Sequence, residues 1–103
     1  AMQKKISDIL PKTEILAQLA EEASELAQAA LKLRRALDDT NPTPKSIEDC
    51  RKAFEEEYAD VMVCMVALGA SGDGKAHERI EIISSEKYYR WLHRLQDKEQ
   101  PDE

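Results

Sequence analysis

The sequence predicts an all-α domain, an antiparallel helical bundle of three long helices preceded by a short one. Apolar residues recur at helical spacing over 13–37, 46–68 and 75–97, and no segment shows the strict apolar-polar alternation of a half-buried strand. Proline and glycine fall at the borders of those segments rather than inside them. At 103 residues the chain is one domain, with a thin core that five aromatic residues leave mostly to Leu, Ile, Val, Ala and Met. Such a bundle gains from being completed by a second subunit.

The elements follow in order. Residues 2–10 form a short amphipathic helix that Pro11 ends or redirects. Over 13–37, Ile15, Leu19, Leu26, Ala30, Leu33 and Leu37 recur on one side, Thr13 is the expected N-cap, and Arg34 and Arg35 suit the negative end of the helix dipole. Asn41, Pro42 and Pro44 then break the helix. Ser46 can cap a helix over 46–68, with Asp49 at the capping-box position. Small residues over 69–74 close it. The last helix, 75–97, takes its apolar side from Ile80, Ile83, Trp91 and Leu95, and 99–103 is a frayed acidic tail.

Charge narrows the function classes. With 21 acidic and 15 basic residues, the net charge of -6 argues against a nucleic-acid polymer as partner. No apolar leader precedes the first helix, and the uncharged run 61–72 is too short to cross a bilayer. Cys50 and Cys64 lie about 21 Å apart along one helix, too far to bridge. Reduced thiols and a cytoplasmic location follow as expectations. Cys64, on the flank of the apolar stripe, reads as packing.

The chemistry concentrates in two acidic motifs. With Leu19 as the centre of one apolar stripe, Glu22 falls about 60° and Glu25 about 120° to one side. With Phe54 as the centre of the next, where Tyr58, Val61, Met65 and Leu68 cluster, Glu57 and Asp60 take the same two offsets. Two such helices side by side make a four-carboxylate cage. Any single Glu beside a stripe is more often a solvated flank. Here, however, Glu21 with Glu25 and Glu56 with Asp60 are like-charged pairs at i,i+4, an arrangement that repels unless a cation is bound. Carboxylate oxygens without neighbouring His, and without Cys at ligand spacing, favour Mg²⁺, with Mn²⁺ as a substitute, over zinc.

ExxE at Glu22 and Glu25, extended by Glu21 to EExxE, followed on the next helix by ExxD at Glu57 and Asp60, resembles the MazG-like all-α nucleoside triphosphate pyrophosphatases. The resemblance covers roughly 15–95, and both motifs occur in order, although the gap with Asn41-Pro42-Thr43-Pro44 is somewhat longer than usual in that family. It implies Glu22, Glu25, Glu57 and Asp60 as Mg²⁺ ligands, with Glu21 as an orienting group or water base and Glu22 sharing the catalytic role. The stretch 86–95 is similar to the basic C-terminal helix of small, often phage-type members. The implied reaction converts an NTP or dNTP to the monophosphate and pyrophosphate, as in house-cleaning of the nucleotide pool. A homodimer or homotetramer is also implied, in line with the second apolar side at Ala20, Ala27 and Leu31.

Charge on leaving pyrophosphate calls for cations. Lys87 and Arg90 are the candidates for substrate binding, one turn apart on the last helix, with Lys75 a weaker one; basic residues near a helix C-terminus are as often dipole partners. Tyr88 and Trp91 can stack on a base but more often belong to a core, and His77 and His93 receive no catalytic role. Two alternatives stay open: a phosphoribosyl-ATP pyrophosphohydrolase, which shares both motifs, and a non-catalytic helical oligomerisation or binding module.

Overall fold

The computed structural model describes residues 3–39, 45–70 and 73–99. The fold is all-α: α1 (Ile6–Ile9), α2 (Lys12–Asp38), α3 (Ile47–Ala70) and α4 (Ala76–Glu99), with no strand among the described residues. The chain forms two compact units, Ala1–Ser71, which carries α1 to α3, and Gly72–Glu103, which carries α4.

Local chemistry sets the helix ends. Pro11, fixed at φ -67°, is the N-cap of α2, and its carbonyl accepts from the amides of Glu14 and Ile15 at 3.0 and 3.2 Å. Thr13, the expected cap, therefore lies inside the first turn: proline has no amide N–H to leave unsatisfied, and its fixed φ suits the chain entering a helix. At the other end Asp39 adopts a left-handed conformation and its amide donates to the Arg35 carbonyl at 3.0 Å, as a C-cap requires. Ser46 does cap α3, its Oγ accepting from the Asp49 amide at 3.1 Å. The predicted break at Asn41, Pro42 and Pro44 lies outside the described residues.

Helix α3 continues through Gly69 to Ala70, past the expected close at Leu68, and α4 extends to Glu99. Ahead of α4, Asp73 accepts from the Lys75 amide at 2.9 Å and from Arg79 at 3.0 Å, which together hold its carboxyl below the ordinary carboxylate range. Gly74 has φ 79°, a conformation that favours glycine.

The core of the first unit is the seam between α2 and α3. On α2 the seam positions are Ile15, Leu19, Glu22, Leu26, Ala29, Leu33 and Ala36, with Arg35 half-buried beside them; on α3 they are Cys50, Phe54, Glu57, Val61, Cys64 and Leu68, joined by Ala67 and Gly69. Both runs step by alternating three and four residues, the spacing of a knobs-into-holes interface. The deepest positions, apart from Ile15 at 2 % exposed, are small: Ala29, Cys50, Cys64 and Ala67. Small side chains let two helix backbones approach closely. Both cysteines are free thiols.

This seam corrects the predicted stripes. Ala30, Leu37, Tyr58 and Met65, expected on the buried face, are exposed, Leu37 at 62 %. The true seam is rotated by about 40–50° from the lines through Leu19 and Phe54, because a 3.5-residue repeat drifts relative to the helix period. Its rotation is toward the acidic motifs. On α4, Ile80, Ile83, Trp91 and Leu95 are all exposed, Trp91 at 59 %, because α4 is the only described helix of its unit and finds no neighbour there to cover it.

Replacing Ile15 with Ala removes the best-covered aliphatic side chain of the seam and lowers unfolding stability by about 2–5 kcal/mol. Urea denaturation followed by circular dichroism measures this; a loss near zero would mean that Ile15 is not a core residue.

Candidate metal centre

Neighbours across the seam run in opposite directions. Glu22 feels the charge of Asp60, Glu25 is next to Glu57, and Ala29 shares a cavity with Cys50 and Ala53. Position numbers rise on α2 as they fall on α3, so the helices are antiparallel and the two acidic motifs face each other in register. That register is what turns two i,i+3 pairs into one cluster.

One carboxylate oxygen from each of Glu22, Glu25 and Glu57 lies within 4.8 Å of the other two. Ligand oxygens on an octahedral Mg²⁺, about 2.1 Å from the metal, stand about 3 Å apart when adjacent and about 4.2 Å when opposite. The cluster thus has the size of a hard-cation site. Glu22 and Glu57 occupy seam positions, while Glu25 and Asp60 lie at its margin. Asp60 falls outside the three-residue group, consistent with a side chain one methylene shorter, yet it is close enough to act on Glu22 and Cys64 through its charge. Glu21 is exposed beside the cluster and acts on Glu25 in the same way.

The electrostatics are those of crowded carboxylates. Burial first, then the charges of Glu25 and Asp60, raise the Glu22 pKa above its ordinary 4.5, against a hydrogen bond from the Gln18 amide at 2.8 Å. Glu25 is raised chiefly by Glu57, first through the hydrogen bond that its protonated form can make and then through like charge. Burial, reinforced by Glu22 and Asp60, also pushes the Cys64 thiol up, away from the reactive thiolate.

Two oxygens decide whether a cation fits. Glu22 Oε2 and Glu57 Oε2 are enclosed and have no hydrogen-bond partner. Enclosed polar atoms of this kind cost free energy unless something satisfies them. Elsewhere on α3, Arg51 bridges Glu48 and, at 2.9 Å, Glu55. Among the described residues, no ion pair of this kind joins the cluster. An all-oxygen, acceptor-only donor set with two unsatisfied oxygens fits a hard divalent cation and suits zinc poorly.

A cavity of about 180 Å³ adjoins the cluster, lined by Glu25, Gln28, Ala29, Lys32, Lys45, Cys50, Ala53 and Glu57. A larger one of about 570 Å³, between α1 and α3, is walled by Met62, Val63, Val66 and Ala67 with Lys4 and Lys5 at its rim. Ile6 and Ser7 complete its lining, which includes no acidic side chain, whereas Glu25 and Glu57 of the cluster line the smaller cavity. Lys32 and Lys45 escaped the sequence reading, although Lys32 lies two turns beyond Glu25 on the same face, a spacing visible in the sequence. The predicted cations Lys87 and Arg90 are exposed on α4, in the other unit, as are Tyr88 and Trp91. No helix among the described residues is long and apolar enough to cross a membrane. The chain matches no protein-family model, no curated protein and no solved structure.

The raised pKa values carry a sign. Between the ordinary value of 4.5 and the raised folded value, the native state binds more protons than the unfolded chain, so stability falls as pH rises through that window. In chelator, Glu25→Gln therefore gains melting temperature relative to the wild type as pH goes from about 5 to about 8. Parallel profiles for the two proteins would show that Glu25 titrates without crowding.

Proposed function

We propose that this protein is a Mg²⁺-dependent nucleoside triphosphate pyrophosphohydrolase of the MazG-like kind, acting on an NTP or dNTP. The observation that carries the reading is the facing of ExxE and ExxD across an antiparallel seam, with two enclosed carboxylate oxygens left unsatisfied. Crowding of three acids in a helix interface is costly for a merely structural module, and a bound cation offsets that cost.

Glu22, Glu25 and Glu57 would hold the ion, with Asp60 within reach of an additional contact. When bound, the cation supplies positive charge against the phosphate oxygens, polarises the α-phosphorus and lowers the pKa of the attacking water. Glu21, exposed and adjacent, is placed to take the proton from that water, and Glu22 orients the group that does so. Water adds to the α-phosphorus, the bond from that phosphorus to the bridging oxygen breaks, and pyrophosphate leaves with the bond's electron pair.

An acidic protein with a polyanionic substrate depends on this charge reversal. The net charge of -6 speaks for small phosphorylated substrates rather than a polymer. We also assign a homo-oligomer, supported by the exposed Tyr58, Met62, Val63 and Val66 on one helix, the last at 71 %. A cytoplasmic site of action suits the two free thiols.

Pyrophosphate release from a panel of NTPs, dNTPs and phosphoribosyl-ATP tests the reaction. The expected result is Mg²⁺-dependent turnover of at least one nucleotide, reduced at least about 100-fold in Glu57→Gln. Turnover that survives chelation, or a Glu57→Gln enzyme as fast as the wild type, would refute it. Light scattering at micromolar concentration is expected to give at least two chains per particle; a monomer would remove the oligomer from the account.

A further inference from the structure

The cavity beside the cluster is lined by residues of both charges. Glu25 and Glu57 line it together with Lys32 and Lys45, Gln28, and the small residues Ala29, Cys50 and Ala53. Opposite charges sharing a cavity normally close into an ion pair. Lys32, however, has no ion-pair partner among the described residues, and the cavity it lines encloses about 180 Å³. A ligand that fills it must present positive charge to the carboxylates and negative charge to the ammonium groups. A phosphate chain carrying a divalent cation does both.

Size narrows this further. Pockets that enclose a whole drug-sized ligand run from about 300 Å³ upward, so this cavity takes only part of a nucleotide. None of its lining residues is aromatic, so it offers no surface on which a base could stack.

We propose that the Lys32–Lys45 cavity seats the β- and γ-phosphoryl groups of the substrate, an inference that rests on the pyrophosphohydrolase reading and fixes the substrate's direction along the seam. The α-phosphorus then lies at the carboxylate cluster, and the nucleoside leaves on the far side of the Glu25–Glu57 pair. When the bond between the α-phosphorus and the bridging oxygen breaks, that oxygen and the electron pair remain with pyrophosphate. The new negative charge develops toward Lys32. This moves the leaving-group role from Lys87 and Arg90 to residues of the same unit as the metal ligands. Both lysines are exposed, so their replacement leaves the seam intact.

Calorimetric titration of inorganic pyrophosphate into the full-length protein, with and without Mg²⁺, tests the seat directly, and Mn²⁺ binding followed by electron paramagnetic resonance reports on the carboxylates alone. In Lys32→Gln, pyrophosphate affinity in Mg²⁺ is expected to fall at least tenfold while Mn²⁺ affinity stays unchanged; Lys45→Gln behaves likewise, and Lys32→Arg retains most of the binding. Unchanged pyrophosphate affinity in both Gln variants, with Glu57→Gln abolishing it, would overturn the seat and leave the pyrophosphohydrolase reading standing. A wild type that binds neither Mn²⁺ nor pyrophosphate would overturn both.

Discussion

Like charge is held in the helix interface of the first unit, and the rest of that unit is arranged around it. Glu22 and Glu57 occupy positions of a three-four repeat that apolar residues fill elsewhere in the seam. Replacing such residues by hydrophobic ones of similar volume is often stabilising, so the acids are not explained by stability. Gln18 donates to Glu22, yet one oxygen of each seam glutamate remains enclosed without a partner. Small residues at the deepest positions of the seam, such as Ala29 and Cys64, bring the backbones close enough for opposing carboxylates to converge.

The same arrangement links electrostatics to chemistry. Protons relieve the cluster as pH falls, as the raised pKa values of Glu22 and Glu25 indicate, and the proposed cation would take that role at neutral pH. In the proposed function, a substrate that carries its own divalent ion would complete the charge balance, with Lys32 and Lys45 lining the same cavity as Glu25 and Glu57. On that proposal, metal and substrate affinity would be coupled through one short stretch of α2 and α3.

Much of this was legible in the sequence, and the reasons differ by element. The helices and the acidic pairs followed from periodicity, since i,i+3 spacing survives whatever the helix packs against. The phase of the buried face did not: choosing Ala30 and Leu37 over Ala29 and Ala36 ignored the drift of a 3.5-residue repeat, and so placed Glu22 and Glu57 on a shoulder instead of in the seam. Thr13 was favoured as a cap on side-chain chemistry, while the backbone of Pro11 set the helix start. The helical spacing of Trp91 favours a core position, but burial depends on a neighbour that α4 lacks within its unit. Lys32 was missed because a single lysine on a helix gives no signal until the antiparallel register places it in a cavity with Glu57.

The central claim is that a cation is the missing partner of the seam carboxylates. Thermal unfolding at neutral pH, in chelator and in Mg²⁺ at about 100 times its dissociation constant, tests it for the wild type and for the Glu22→Gln, Glu57→Gln double variant. The account predicts that Mg²⁺ raises the wild-type melting temperature by roughly 10 °C or more, and that the double variant melts above the wild type in chelator and does not respond to the metal. A wild type whose melting temperature is the same with and without Mg²⁺, or a double variant that gains as much from the ion, would contradict it.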